Sequence, residues 1–466
     1  MINILCKTIL LLVINQILFV SVFGSHNNNN TFVTKYEANW ASLDTRPLPV
    51  WYDRAKIGIF IHWGVYCVPS YMDAWFWFHW RTDDLKQRVK AVEDFMSANY
   101  PPNWTYQDFA KDFTAEFFDA NHWADVFKAS GAKYVVLTTK HHEGYTLWPS
   151  NYSFSWNARD VGPNRDLVGE LSKSVKTAGL KFGTYHSLIE WFHPLYKQDV
   201  QSGYKTQRFV DAKVLTERHE LVDTYLPDLI WSDNAENGDS KYWKSEEFLA
   251  WLYNESPIKD TVVVNDRWGV ETDGKHGGYY NYADNYNPKR ILAHKWERAM
   301  DIGKGSWGYR RNVQLNDYMT DLEIITAIAE TVSCGGNILL SIGPTKEGTI
   351  TPIYEERLRK MGDWLQVNGE AIYDSHPWTQ PNDTTTTGVW YTQKGKAVYA
   401  IVLFWPKDNT LVLGSVQYNT VDTIQMLGVA GNLNYKAGTG GHSLITFPYI
   451  NPRLLTTAYV LKINIK

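Results

Sequence analysis

Carboxylates that end apolar runs, with tryptophan and histidine beside them, are the residues of this chain whose types and spacing could do chemistry. The sharpest case is Pro227-Asp228-Leu229-Ile230-Trp231-Ser232-Asp233. A lone strand-end Asp commonly serves only as a helix N-cap, and here the neighbours change the reading. Val262-Val263-Val264-Asn265-Asp266-Arg267-Trp268-Gly269 also ends in charged groups, Asp284 follows, and His294-Lys295-Trp296-Glu297 supplies a further carboxylate. Upstream, Ile61-His62-Trp63-Gly64 and Lys140-His141-His142-Glu143-Gly144 put three histidines at the ends of runs. Carboxylates, histidines and tryptophans gathered on one face can hold a pyranose and break its glycosidic bond. Histidines beside carboxylates also raise a metal. The chain has neither a His-Glu-x-x-His helix nor a closed cysteine set, so neither a metal nor another cofactor is expected.

The elements that must position these groups follow from periodicity. From about residue 50 to 375, short apolar runs alternate with longer helical patterns, which predicts βα units around parallel strands. The candidate strands are Lys56–His62, Lys133–Lys140, Leu180–His186, Asp228–Asp233, Thr261–Arg267, Ala293–Glu297 and Asn337–Gly343. Most end in a polar residue, as in a barrel whose strand C-termini surround the active site. An open doubly wound sheet would gather strand ends too, but no glycine-rich dinucleotide fingerprint follows the first strand. The fold expected is therefore α/β, a (β/α)8-like barrel catalytic domain over residues 33–375. A linker at Ser375 to Thr387, marked by Pro377, Pro381 and a threonine run, leads into a small antiparallel β-sandwich over residues 376–466. In its last strand Tyr459, Leu461, Ile463 and Ile465 share one face.

Composition fixes the compartment and excludes some partners. Lys7 precedes an apolar run from Thr8 to Phe23, with Gly24 and Ser25 after it, which reads as a cleaved secretory signal over residues 1–24. The run is broken by Asn15 and Gln16 and is shorter than the roughly 20 apolar residues that span a bilayer, so no membrane association is expected. Residues 25 to 35 read as a disordered tail. Export gives meaning to Asn29, Asn103, Asn151, Asn254 and Asn382, each two before Ser or Thr, as acceptors of N-linked sugar. Cys67 and Cys334 either pair or stay as buried thiols. The net charge of -4 leaves no electrostatic footprint for nucleic acid. The 21 Trp and 29 Tyr exceed what a core needs, and their flat rings suit the apolar faces of sugars.

The strings His62-Trp63-Gly64, His141-His142-Glu143-Gly144, Tyr185-His186-Ser187-Leu188, Trp231-Ser232-Asp233, Asn265-Asp266-Arg267-Trp268-Gly269, His294-Lys295-Trp296-Glu297, Ser306-Trp307-Gly308-Tyr309 and Gly335-Gly336-Asn337 resemble the α-L-fucosidases of glycoside hydrolase family twenty-nine, above all the animal tissue enzymes. The resemblance implies a retaining exo-α-L-fucosidase that releases terminal L-fucose through a covalent fucosyl-enzyme intermediate, with two carboxyls about 5–5.5 Å apart. The nucleophile falls on Asp233. Asp284 is preferred as the acid/base residue and Glu297 is the alternative. His62, His141 and His142 would hydrogen-bond ring hydroxyls, with Trp75, Tyr185, Trp231 and Arg267 nearby and Trp307 against an apolar face or the C6 methyl. An apolar slot for that methyl is the physical basis of selectivity, since a polar group there would be buried without partners. The implied substrates are fucosylated glycans of glycoproteins, glycolipids or oligosaccharides, the implied site of action is secreted or lysosomal, and homo-oligomer formation is left open.

Two departures bear on activity. The family commonly has a glutamate just before the tryptophan where this chain reads Asp73-Ala74-Trp75, so Ala74 removes a sugar contact that Asp73 or water would have to replace. After the nucleophile the chain reads Asn234-Ala235-Glu236-Asn237 in place of Gly and acidic residues. A second function, a secreted fucose-binding homologue with weak or no turnover, is therefore carried beside the enzyme.

Overall fold

Seven apolar runs pair into one parallel sheet, β1 Ile57–Ile61, β2 Tyr134–Lys140, β3 Lys181–Ser187, β4 Leu229–Asp233, β5 Val263–Val264, β6 Trp296–Asp301 and β7 Gly336–Ile342, in the order β5-β4-β3-β2-β1-β7-β6. The computed structural model describes residues 35–82, 86–233, 237–450 and 457–466, so the signal expected at 1–24 lies outside the described residues. Every residue of β1, β2 and β7 is buried, the pattern of strands covered on both faces. The sheet curls until its edges meet across residues 278–281. Tyr279 N–H donates to Val264 O of β5, Tyr280 N–H donates to Lys295 O, and Glu297 N–H of β6 donates to Tyr280 O. This irregular eighth stave makes the sheet barrel-like.

Helices between the strands form the outer layer. The main ones are α1 Ala120–Ala129, α2 Leu167–Thr177, α3 Leu215–Tyr225, α4 Ser245–Asn254, α5 Asp321–Ser333 and α6 Pro352–Asn368. Local sequence explains where they begin. Asp119 caps α1 by accepting from Asn121 N and His122 N, Asp166 caps α2, and Thr320 with Glu323 makes a reciprocal capping box on α5. Each such cap stabilises its helix by about 1 kcal/mol. Trp123, Ala124, Val126 and Phe127 on α1 recur at helical spacing and are buried against the sheet.

Two strands depart from their sequence patterns. The run Thr261–Arg267 yields only Val263–Val264, because the Asn265 side-chain amide replaces the backbone ladder: it accepts from Ser232 N at 3.0 Å and donates to Ser232 O at 2.9 Å. The run Ala293–Glu297 is shifted, since pairing with β7 starts at Trp296 opposite Gly336 and continues to Asp301.

The C-terminal region holds β8 His376–Asn382, β9 Val389–Lys394, β10 Ala397–Val402, β11 Thr410–Gln417, β12 Val421–Met426, β13 Tyr435–Ala437, β14 His442–Thr446 and β15 Tyr459–Ile465. They form a five-stranded sheet, β12-β15-β10-β9-β8, facing a three-stranded one, β11-β14-β13, and the pairings are antiparallel. The stretch expected as a linker is instead edge strand β8, where Pro377 and Pro381 are tolerated because an edge leaves one side of the ladder free. The threonine run is ordered by Asp383, whose Oδ1 accepts from Thr385 N and Thr386 N.

Alternation decides which layer each residue joins. Tyr459, Leu461 and Ile463 of β15 and Val398, Ala400 and Val402 of β10 fill the space between the two small sheets, with Ile465 packed against them. Val460, Ala397, Tyr399 and Ile401 face the other way, into the core shared with Leu358 and Trp364 of α6. Trp364 Nε1–H donates to Ala458 O at 3.0 Å, and contacts of this kind join Glu37–Lys466 into one unit. Cys67 and Cys334 are buried free thiols, and burial pushes each up to about 12.

Candidate active site

At the C-terminal ends of the strands the polar residues meet in one cavity. Asp233, the last residue of β4, is held by two donors from neighbouring staves. Tyr185 Oη on β3 donates to Asp233 Oδ2 at 2.6 Å, and Arg267 Nη1 donates to Asp233 Oδ1 at 3.0 Å. Burial, then the Asp233 charge, holds the Tyr185 phenol well above its usual range, so it stays a donor. The second arm of the guanidinium reaches Asp284, with Arg267 Nη2 at 2.5 Å from Asp284 Oδ1. Burial works against the charge on Arg267, but Asp284 and Asp233 more than offset it, and its pKa stands well above the usual value. The guanidinium also lies over the Trp231 ring, 4.7 Å from its centroid.

The histidines are oriented from behind by serines. His62 Nδ1 lies 2.9 Å from Ser341 Oγ on β7, and His142 Nδ1 lies 2.6 Å from Ser187 Oγ on β3. His142 Nε2 comes to 3.6 Å from Asp233 Oδ2. Burial, followed by the charge of His141, depresses both imidazoles well below 6.5, so His62 and His142 are neutral. A strand would send adjacent side chains to opposite faces. His141 and His142 nevertheless line the same cavity, ring centroids 4.2 Å apart, because the chain leaves β2 at Lys140 and turns so that Gly144 N–H donates to His141 O. That turn requires glycine. Gly144 has φ +82, and a Cβ there would sit 2.5 Å from Glu190 Oε2. Lys140 itself points into a buried ionic cluster, donating to Glu190 and Glu217 at 2.9 Å each.

Trp75 meets His142 edge-on at 5.3 Å, and Trp307 stacks on His62 at 4.8 Å. With Phe60 and Ala299, Trp307 gives the cavity an apolar corner. The cavity measures about 730 Å³, and His62, Trp75, His141, His142, Tyr185, Trp231, Asp233, Arg267, Asp284 and Trp307 all line it.

Glu297 is not brought there. It is fully buried inside the barrel, where Oε2 accepts from Tyr52 Oη and Tyr134 Oη at 2.7 Å each, and Oε1 accepts from Trp231 Nε1 at 3.0 Å and Asn281 Nδ2 at 3.2 Å. Burial raises its pKa while these donors lower it. A carboxyl enclosed this way ties four staves together and does not line the cavity. Asp284, by contrast, is half exposed on the cavity wall.

Three further positions were not legible in the sequence or differ from it. Asp273 lines the cavity although no run singled it out. Asp73, beside Ala74, is not among the residues that line the cavity, and its Oδ1 accepts from Trp75 N at 2.8 Å and faces His79 Nε2 at 3.3 Å. Ala74 is buried, and its N–H donates to Trp307 O. Asn234, Ala235 and Glu236 lie outside the described residues.

Of the sequons, Asn103, Asn151 and Asn382 are exposed and Asn254 is half-buried, whereas Asn29 lies outside the described residues.

Comparison with known proteins identifies the family of the chain. The family profile described as alpha-L-fucosidase matches residues 24–370, and that of the alpha-L-fucosidase C-terminal domain matches residues 381–464. The chain is 51% identical over 431 residues to the tissue alpha-L-fucosidase of Homo sapiens, covering 92% of each chain. It is 52% identical over 420 residues to the plasma alpha-L-fucosidase of Rattus norvegicus, covering 89% of this chain and 91% of that one. The crystal structure of Thermotoga maritima alpha-fucosidase in complex with fucose superposes with a TM-score of 0.79 at 34% identity, over 92% of this chain and all of the other. With its catalytic barrel and C-terminal domain both matched, the chain belongs to the α-L-fucosidase family of glycoside hydrolases.

Proposed function

We propose that this α-L-fucosidase is a retaining exo-enzyme in which Asp233 attacks the anomeric carbon of a terminal L-fucose and Asp284 first donates and then removes the proton. The observation that carries the reading is the shared guanidinium, since Arg267 holds both carboxylates at one cavity wall. In the first step the Asp233 oxygen forms a bond to C1 as the bond from C1 to the leaving oxygen breaks, and that oxygen takes the Asp284 proton. In the second step water attacks C1, gives its proton to Asp284 and releases Asp233, so the configuration is retained. Glycosylation of Asp233 removes its negative charge, which leaves the Arg267 guanidinium to Asp284 alone when Asp284 must act as base.

Neutral His62 and His142, each held by a serine at Nδ1, offer their Nε2 side to ring hydroxyls. The corner of Phe60, Trp307 and Ala299 suits the C6 methyl. The relatives named tissue and plasma enzymes support action after export, in lysosomes or outside the cell, on fucosylated glycoconjugates. Asn103, Asn151 and Asn382 then carry N-linked sugar. Hydrolysis of an aryl α-L-fucoside, followed by NMR from the first turnover, tests the reading. It predicts α-L-fucose as the initial product. Initial β-L-fucose would mean inversion, and binding of fucose without hydrolysis would mean the non-catalytic homologue.

A further inference from the structure

The loop after β5 is folded around a single carboxylate, and that fold brings a third carboxyl into the cavity. Asp266 Oδ2 accepts from Gly274 N at 2.8 Å, and Oδ1 accepts from Asn281 N at 3.0 Å. Asp273, next to the first of these contacts, lines the cavity together with Asp233, Arg267 and Asp284. Its Oδ1 is buried and has no hydrogen-bond partner. Buried polar oxygens are nearly always paired, so a carboxyl with one unpaired oxygen, on a residue that lines the cavity, has no fixed protein partner to compete with a ligand. Burial pushes the Asp273 carboxyl up to about 7, with Asp266, Asp233 and Asp284 adding to the rise and Arg267 opposing it. Below that pH it carries a proton and is a hydrogen-bond donor.

The cavity also extends past the residues that would hold one fucose. Phe78, Trp191, Phe192 and Tyr196 line it too, and about 730 Å³ falls well inside the roughly 300–1,000 Å³ range of small-molecule pockets. Aromatic rings of this kind accept the apolar face of a second sugar.

We propose that Asp273 binds the leaving group, its carboxyl hydrogen-bonding a hydroxyl of the sugar that carries the fucose, so that the site favours saccharide over aryl leaving groups. This rests on the fucosidase reading above. The group acts on the leaving sugar alone and takes no part in the displacement at C1.

The test compares kcat/KM for fucose α-linked to galactose with that for 4-nitrophenyl α-L-fucoside, from pH 5 to 8, in the wild type, Asp273→Ala and Asp273→Asn. The ratio of the two substrates is the readout, so a partial loss of folded enzyme cancels, and Asp273→Leu, which has a similar shape and no donor, supplies the same comparison if the alanine variant does not fold. The proposal expects the wild-type ratio to decline above about pH 7 as the donor is lost. Asp273→Ala should lower the ratio about tenfold at pH 6, and Asp273→Asn, which keeps a donor, should restore it and abolish the decline. A ratio unmoved by Asp273→Ala, or lowered equally by Asp273→Asn at pH 6, would overturn the proposal. A wild type that turns over neither fucoside would overturn the fucosidase reading and this one with it.

Discussion

Arg267 joins Asp233 to Asp284, with one guanidinium nitrogen 3.0 Å from the first carboxylate and the other 2.5 Å from the second. A planar fork serves two acceptors at once, which an ammonium on a flexible stem does not. Arg267→Lys should therefore keep at most one contact. Hydrogen bonds to charged groups contribute about 1.5–3 kcal/mol each, so kcat on an aryl fucoside should fall roughly 10- to 100-fold. Steady-state kinetics with circular dichroism as a folding control checks this, and a variant with unchanged kcat would remove the bridge from the mechanism.

Asp284 and Glu297 are expected to fail in different ways. Asp284→Asn removes the proton donor, so turnover should depend steeply on leaving-group acidity, being lost with poor leaving groups and kept in large part with dinitrophenyl fucoside. Glu297→Gln puts an amide NH2 against donors in a site that supplies four of them. Leaving buried donors unpaired costs about 1–3 kcal/mol, which urea denaturation should read as lost stability. Leaving-group dependence in the glutamine variant, with stability intact, would reverse the two assignments.

Stability should decline in mild acid. His62 and His142 are held well below 6.5 by burial, and His186 is pushed down to about 3, again chiefly by burial. For each, the folded pKa lies below that of the unfolded chain. Above about pH 6.5 neither state is protonated and stability is full. As pH falls below that value only the unfolded chain takes up protons, so each histidine removes up to about 1.4 kcal/mol per pH unit. His186→Gln should flatten the fall of the melting temperature between pH 6.5 and 4. An unchanged slope would show that His186 is not held neutral in the folded protein.

The features the sequence disclosed are those that burial alone controls. Buried parallel strands read as continuous apolar runs, so β1, β2, β3, β4 and β7 were legible to within a residue or two, as was the alternation that splits Val460 from Tyr459 and Leu461 on β15. The rest depends on partners distant in the chain. Nothing beside Glu297 announces that Tyr52 and Tyr134 will enclose it, and its tryptophan-rich flanks resemble those of a catalytic strand end. β5 shortens because a side-chain amide from Asn265 imitates backbone, which no propensity reports. Pro377 and Pro381 looked like a linker because their tolerance depends on β8 being an edge. Asp273 was missed because its exposure to the cavity arises only when the loop closes on Asp266.

The central claim, that Asp233 forms the covalent bond to fucose, is tested most directly by azide rescue of Asp233→Gly acting on an activated aryl α-L-fucoside. The account predicts that turnover is lost by several powers of ten, that added azide restores it, and that the product by NMR is β-L-fucosyl azide, formed by a single inversion in the emptied space. A folded variant that keeps wild-type turnover, or is restored by azide only as the α-azide, would contradict it.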